Sequence, residues 1–209
     1  MPTGVDLAEA TVTITVPHLP AVPRLYFFAL QVSFVDGGAA HLGLQWGADP
    51  PRRMHHVNWG GYGPDGRELA GTASRLPSSF GNPHTRDFDW QAGRPYRLRI
   101  GRGADGWAGW VDDTLVRELL APGVTLASPV VWSEVFADCD HPTASVRWSD
   151  PSVVTRSGNR VAVGSALAHY QPRSEGGCDN TSSTVEGHAF VQTTSTERLT
   201  APGTRLHLG

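Results

Sequence analysis

The sequence predicts an all-β protein built as an antiparallel sandwich or barrel, and three observations support this class. Apolar and polar residues alternate with a period of two through most of the chain, as in strands with one buried face. Turn-forming residues separate these segments every eight to twelve positions, a spacing typical of sandwiches and barrels. No long helical period and no internal repeat is present, so a propeller or a solenoid is not expected.

The first strands show the clearest alternation. Residues 11–16 read TVTITV, and residues 24–35, 41–47 and 54–61 each place large apolar side chains on one face and polar ones on the other. The polar members of these strands are Gln31, Ser33, Gln45, His56 and Asn58. Amide and imidazole groups arrayed on one sheet can both donate and accept hydrogen bonds, which suits sugar hydroxyls, although such a face can equally be an ordinary wet surface.

Residues 63–93 contain many turn formers and no sustained period, which predicts a long and functional loop. Strand patterns then resume, at 94–101, 106–113, 115–120, 129–137, 144–150 and 159–170. We predict a single domain over residues 1–209, with a polar, loop-rich tail from about residue 171.

The charge balance bears on the partners. A net charge of -3 gives no electrostatic basis for nucleic-acid binding, and no apolar run is long enough to insert into a membrane. The first residues lack the pattern of a signal peptide, so we expect either a mature extracellular or cell-surface chain or a cytoplasmic one. The oligomeric state is not predicted.

Both cysteines lie in polar loops, in the strings ADCDHP and EGGCDNTSS. Free buried cysteines usually have apolar neighbours, so we predict a disulfide between Cys139 and Cys178. A disulfide favours an oxidising compartment and therefore the extracellular or cell-surface location.

A series of aromatic segments occurs in order between residues 24 and 150, reading YFFALQVSF, HLGLQWG, VNWGGYG, DWQAGRPYRLRI, GWAGWVDD, PVVWSEVFADC and VRWSD. In this respect the chain resembles a bacterial family of domains of unknown function with a concanavalin-like jelly roll. Members of that family tend to be secreted alongside carbohydrate-active modules. The resemblance implies a curved β-sandwich whose concave face commonly binds extended glycans.

Glu134 is the most informative residue, because a carboxylate interrupts an otherwise apolar strand. Alternation places it on one face with Val130, Trp132 and Phe136, while Val131, Ser133 and Val135 pack against the second sheet. A tryptophan beside a carboxylate is a common sugar-binding arrangement. Alternatively, Glu134 faces solvent or pairs with an arginine such as Arg147.

A catalytic role for Glu134 is the second hypothesis. Laminarinase-like hydrolases of this fold carry Glu-x-Asp-x-Glu on one strand, whereas residues 134–138 here read EVFAD. Positions i and i+4 of a strand lie about 13 Å apart, and a retaining pair needs carboxyl groups about 5–5.5 Å apart, which the shorter Asp138 reaches poorly. A second carboxylate from another strand, Asp112 or Asp87, stays open.

The leading prediction is therefore a protein that binds a polysaccharide or oligosaccharide on one face of the sandwich. The predicted ligand-binding residues are Trp132, Gln31, Gln45, His56, Asn58 and Arg147, with Glu134 at the centre. The alternatives are a glycoside hydrolase or polysaccharide lyase that uses Glu134, and a structural or protein-interaction domain that binds through residues 63–93.

Metal signals are weak. His55 and His56 point to opposite faces of a strand, and no ligand cluster has zinc spacing. No cofactor is expected, although loop oxygens of Asp138, Asp140 and Asp179 would suit a structural calcium ion.

Overall fold

The structure is a computed structural model that describes residues 6–35, 37–47, 54–79 and 81–209. Within these ranges the chain forms sixteen strands and one short 3-10 helix at Arg173–Glu175. Fourteen of these strands form one continuous antiparallel sheet that folds over into two packed layers, which we call the first and second sheets; this confirms the predicted β-sandwich and is consistent with a jelly roll. In the described ranges, no helix is long and apolar enough to cross a membrane.

The first sheet has the strand order β14-β15-β11-β1-β7-β8-β9, with β12 paired to the far end of β11. Its central strand β1 pairs with both β11 and β7 over Glu9–Thr15. The bounds are β1 Leu7–Thr15, β7 Pro95–Arg102, β8 Trp107–Val111, β9 Thr114–Leu119, β11 Ser145–Thr155, β12 Arg160–Ala162, β14 Thr181–Glu186 and β15 Ala189–Thr194.

The second sheet has the strand order β10-β2-β3-β4-β6-β5. Its bounds are β2 Tyr26–Phe34, β3 Ala39–Trp46, β4 His55–Tyr62, β5 Ser78–Ser79, β6 Asn82–Asp87 and β10 Leu126–Val135. The pairing of Leu7 with Leu126 connects the start of β1 to β10, the edge strand of the second sheet. Two further strands, β13 Ser165–Leu167 and β16 Arg205–His207, pair only with each other.

The core lies between the two sheets, where the apolar faces of their strands meet. Gly109 on β8 lies against Trp59 on β4, and a Cβ atom at Gly109 would sit only 2.8 Å from the indole ring. The Trp59 Nε1 group donates to the Trp107 carbonyl at 3.0 Å, so this buried indole is also hydrogen-bonded across the sandwich.

The tryptophans follow the alternation closely. Trp59 and Trp148 are fully buried in the core and Trp46 packs half-buried against it. Trp107 is buried, whereas Trp110 on the opposite face is half-buried beneath the Arg99 guanidinium, at 3.5 Å from the ring centre.

The segment 63–93 differs from its expected irregular course. It contributes β5 and β6, which extend the second sheet beyond β4, and it buries Trp90 completely. The strand pattern was missed because Ser78, Ser79 and the NPHTRD sequence of β6 lack apolar alternation. Here hydrogen bonding to an existing strand, not side-chain pattern, determines the conformation.

The predicted disulfide is confirmed. Cys139 and Cys178 are bonded, with their Cα atoms 5.6 Å apart, and Asn180 Nδ2 donates to the Cys139 carbonyl at 2.5 Å. The bond ties the loop after β10 to the segment that leads into the edge strand β14, and so anchors the polar tail.

Candidate functional site

The face of the second sheet that points away from the core carries most of the predicted ligand-binding residues. Its side chains form three rows across the strands, because register places them opposite one another. From β10 towards β6, the first row is Glu134, Phe27, Gln45, His56 and Asp87; the second is Trp132, Ala29, Gly43, Asn58 and Thr85; the third is Val130, Gln31, His41 and Gly60. We call this surface the polar face.

Phe27 would separate Glu134 from Gln45 if its ring stood upright in the first row. Instead, the ring leans along the sheet over Gly43, where a Cβ atom would lie 2.8 Å from Phe27 Cε2. It makes edge-to-face contacts with Trp132 and His41, at centroid distances of 5.0 and 5.4 Å. The absence of a side chain at Gly43 therefore leaves room for the Phe27 ring to lie along the sheet.

Glu134 and Gln45 lie two strands apart in the same row, so their Cα atoms are separated by about 10 Å. Glu134 is exposed and long enough to reach into the space between them, whereas Gln45 is buried and its Oε1 atom lies towards Thr85 on β6. The Glu134 side chain remains accessible to solvent, and desolvation by the surrounding protein raises the pKa of its carboxyl above the ordinary value.

The Gln45 amide is held by a chain of hydrogen bonds. Asn58 Nδ2 donates to Thr85 Oγ1 at 3.0 Å, and the Thr85 hydroxyl donates to Gln45 Oε1 at 3.4 Å. Because Oε1 accepts from Thr85, the Nε2 group of Gln45 is left to act as the donor. The Gln45 backbone is fixed as well, since its carbonyl accepts from the buried Trp90 indole at 3.0 Å.

Of the histidines on the polar face, His56 is buried and His41 is half-buried, and both are held by contacts within the protein. His56 Nδ1 lies 3.0 Å from Ser79 Oγ and 3.4 Å from Asp87 Oδ1. His41 is enclosed by Phe27 and Trp132; this burial, together with the charge of His84, lowers the pKa of His41 to about 4. His41 is therefore neutral at neutral pH.

Trp132 is half-buried and fixed in orientation. Its Nε1 group donates to Gln31 Oε1 at 3.1 Å, and its ring contacts Phe27 and His41 edge to face. On the opposite side of β10, Ser133 donates to Gln192 Oε1 at 2.7 Å, so the predicted division of this strand into two faces agrees with the structure.

Arg147 is the predicted ligand-binding residue that the structure does not bring to the polar face. It lies on β11 in the first sheet and forms an ion pair with Glu186 at 2.5 Å. The ion pair considered between Glu134 and Arg147 is therefore not formed. Strand order, which local sequence does not encode, places the two residues on different sheets.

The other carboxylates considered for catalysis lie away from Glu134. Asp112 pairs with Arg94 at the turn between β8 and β9, and Asp87 stands at the far end of the first row, about 19 Å from β10 by strand spacing. Asp138 follows the end of β10 at Val135, so residues 134–138 do not form one continuous strand.

The residues proposed for calcium are not assembled into a site by the described part of the chain. Asp179 forms an ion pair with Arg173 at 3.2 Å. Among the described residues, no group of three or more histidine, cysteine or acidic side chains is placed to hold a metal ion.

Thr85 and His84 are the residues of this surface that sequence reasoning missed. They lie on β6, within the segment that was expected to be an irregular loop. The available signal was the strand pattern of β4 itself. A strand at the edge of a sheet leaves backbone N–H and C=O groups unpaired, and a further strand beside it can pair with them.

Comparison with known proteins shows a similarity in overall fold. No protein-family model and no curated protein sequence matches the chain. Among solved structures, the chain is similar to a crystal structure of scytalido-glutamic peptidase with a peptide-based transition-state analogue. The similarity has a TM-score of 0.51 at 12% identity, and covers 90% of this chain and 93% of the peptidase chain. It therefore concerns the overall β-sandwich and not particular residues.

Proposed function

We propose that the protein is a hydrolase that cleaves peptide bonds on the polar face, with Glu134 and Gln45 as its catalytic residues. The observation that carries this proposal is their position in one cross-strand row, separated by a phenylalanine that leans out of the way. Amide hydrolysis requires a base for water, a donor for the developing oxyanion and an acid for the leaving amine. One carboxyl group and one amide can supply all three.

In the proposed reaction, the Glu134 carboxylate removes a proton from a water molecule as the water oxygen bonds to the carbonyl carbon. Gln45 Nε2 donates a hydrogen bond to the carbonyl oxygen, which takes on negative charge in the tetrahedral intermediate. The C–N bond then breaks as the Glu134 carboxylic acid returns the proton to the leaving nitrogen. The products are a carboxylic acid and an amine, and Glu134 ends as it began.

The arrangement supports amide hydrolysis better than the glycosidase alternative. Glycoside hydrolysis uses two carboxyl groups separated by about 5–5.5 Å or 6.5–9.5 Å. The other carboxylate in the row of Glu134 is Asp87, which is four strands away and beyond both distances. The polar residue of the row that lies nearest to Glu134 is Gln45, which carries an amide and not a carboxyl group. The similarity in fold to a glutamic peptidase points in the same direction.

A panel of unlabelled proteins and quenched fluorescent peptides, incubated over a range of pH with the purified protein, tests this function. We expect cleavage by the wild type, and loss of at least about a thousandfold in kcat for Glu134→Gln. Glu186→Gln is the matched control, because Glu186 is an exposed glutamate on the other sheet. Equal activity of Glu134→Gln and wild type would exclude Glu134 from the reaction.

Glycan binding remains a second candidate because of one observation: Trp132 presents a half-buried indole of fixed orientation beside Gln31 and His41. A fixed aromatic ring among hydrogen-bonding groups is suited to stacking on a pyranose ring. A glycan array with wild type and Trp132→Ala tests it. Binding that disappears in the variant supports this candidate, and the absence of any glycan signal rejects it.

A further inference from the structure

A small pocket of about 70 Å³ opens on the polar face, on the side of Gln45 that is remote from Glu134. It lies between β3, β4 and β6, and its lining residues are His41, Asn58, Gly60, Tyr62, Asn82 and His84, with Gly61 and Glu68. Asn58 and Gln45 are diagonal neighbours on adjacent strands, so the pocket begins about 7–8 Å from the residue proposed to hold the oxyanion. An extended ligand on the face would reach both.

The pocket contains a buried acceptor. Asn58 is 6% exposed, and its Nδ2 group is used by Thr85. Its Oδ1 atom is buried and has no hydrogen-bond partner among the described residues. An unsatisfied buried amide oxygen is destabilising, so a ligand that donated a hydrogen bond to it would be bound more tightly.

The pocket also contains a donor. Asn82 Oδ1 accepts from the His84 backbone N–H at 2.7 Å, which fixes the Asn82 amide and leaves its Nδ2 group as a donor at the pocket. Asn58 and Asn82 therefore offer one acceptor and one donor to the same small space.

Among the described residues, the lining of the pocket includes one acidic side chain, Glu68, and no arginine or lysine. His84 is buried, and desolvation and the nearby Arg117 lower its pKa, while Glu68, whose Oε2 lies 3.4 Å from His84 Nε2, acts to raise it. The neutral His41 closes another side. These charges disfavour an anionic ligand, and a neutral group with both a donor and an acceptor matches the two asparagines.

We infer that this pocket is a specificity subsite for a primary carboxamide, the side-chain head group of glutamine or asparagine in a peptide substrate. The carboxamide N–H donates to Asn58 Oδ1, and its carbonyl oxygen accepts from Asn82 Nδ2. An ammonium group would leave the Asn82 donor facing donors, and a carboxylate would leave Asn58 Oδ1 facing acceptors. The inference rests on the proposed peptidase function, since it assigns the substrate class of the same face.

The test uses a peptide library in which one residue at a time is varied among Gln, Asn, Glu, Lys and Leu. With wild type, we expect kcat/KM for Gln or Asn at one position to exceed that for Glu, Lys and Leu by about tenfold or more. Asn82→Asp keeps the oxygen that accepts from His84 but replaces the donor by an acceptor, so it should abolish this preference and favour Lys. Asn159→Asp is the control, an exposed asparagine in the remote turn between β11 and β12.

Binding separates this inference from catalysis. Fluorescence anisotropy of the same labelled peptides on Glu134→Gln requires no cleavage. A Gln or Asn preference in binding that is lost in Asn82→Asp supports the subsite, even if the wild type cleaves nothing. Cleavage with no preference for a carboxamide, or a preference unchanged by Asn82→Asp, overturns the subsite and leaves the hydrolase intact. A protein that neither binds nor cleaves peptides overturns both.

Discussion

At the scale of single residues, the ionised carboxylate of Glu134 is less favourable in the folded protein than in the unfolded chain. Desolvation raises the pKa of its carboxyl, so the folded protein binds a proton more tightly than the unfolded chain. The stabilisation from this group is present below its ordinary pKa of 4.5 and is lost as the pH rises through the raised value. Such a cost at neutral pH is typical of functional carboxylates.

We therefore predict that Glu134→Gln stabilises the protein at neutral pH while it removes activity. The gain should shrink as the pH falls and vanish below about pH 4, where both states of the wild type are protonated. Urea unfolding of the variant and the wild type at pH 7 and at pH 4 measures it. A variant that is less stable than wild type at pH 7 would contradict the assignment of a desolvated carboxylate.

His41 has the opposite dependence. Burial lowers its pKa to about 4 from 6.5, so the stability it provides is present above pH 6.5 and is lost as the pH falls towards 4. We expect His41→Phe, which keeps the contacts with Phe27 and Trp132, to reduce the loss of stability between pH 6.5 and 4. Thermal unfolding across this pH range checks it, and an unchanged acid profile would count against the buried neutral imidazole.

Thr85 on β6 is a positioning residue, because its hydroxyl donates a hydrogen bond to Gln45 Oε1. Thr85→Val retains the shape of the side chain but removes the hydroxyl that fixes the Gln45 amide. We expect kcat for peptide cleavage to fall about tenfold with little change in KM. Thr85→Ser keeps the hydroxyl and should restore the rate, a rescue that a purely structural role for the Thr85 methyl group would not give.

At the scale of elements, the polar face depends on the close approach of β2 and β3. Gly43 faces Ala29 across this pair, and a Cβ atom there would overlap the Phe28 carbonyl oxygen and lie 2.8 Å from the Phe27 ring. A side chain at this position would push the strands apart and force Phe27 back into the space between Glu134 and Gln45.

Gly43→Ala should accordingly destabilise the protein by about 3 kcal/mol and lower activity in the molecules that remain folded. Gly164→Ala is the matched control, because a Cβ atom there meets nothing within 4 Å. Urea unfolding compares the two variants. A Gly43→Ala protein as stable as the Gly164→Ala protein would show that β2 and β3 separate easily.

The sequence pattern predicts which residues each strand places on its two faces, but it does not predict which strands lie beside it. The alternation in residues 24–35, 41–47, 54–61 and 129–137 places Gln31, Gln45, Asn58 and Glu134 on the correct sides, because each strand has one apolar face in the core. It does not reveal that β10 pairs with β2 or that β11 lies in the other sheet. These facts depend on long-range pairing, so the row of Glu134 and Gln45 and the separation of Arg147 emerge only in the structure.

At the scale of the whole molecule, the disulfide ties the end of the Glu134 strand to the outer hairpin of the first sheet. The Cys139–Cys178 bond spans 39 residues, and Tyr26 adds a hydrogen bond to His141 at 3.0 Å in the same loop. A link of this length restricts the unfolded chain and should contribute about 4 kcal/mol of stability. It also favours an extracellular location, which we propose on this ground.

The double variant Cys139→Ser/Cys178→Ser should therefore unfold at clearly lower urea concentration than the wild type. The wild type in reductant should approach the behaviour of the variant, whereas the variant should not respond to reductant at all. Equal unfolding midpoints for the oxidised wild type and the variant would contradict this prediction, because the tail would then be held in place by its non-covalent contacts without help from the disulfide.

The central claim is that Glu134 and Gln45 work as one catalytic unit, and a double-mutant cycle tests it most directly. The measurement is kcat for peptide cleavage by wild type, Glu134→Gln, Gln45→Leu and the double variant. We predict that the double variant is no slower than Glu134→Gln, because removing the base already disables the step that Gln45 assists. Independent losses that multiply in the double variant, or full activity of Gln45→Leu, would contradict the claim.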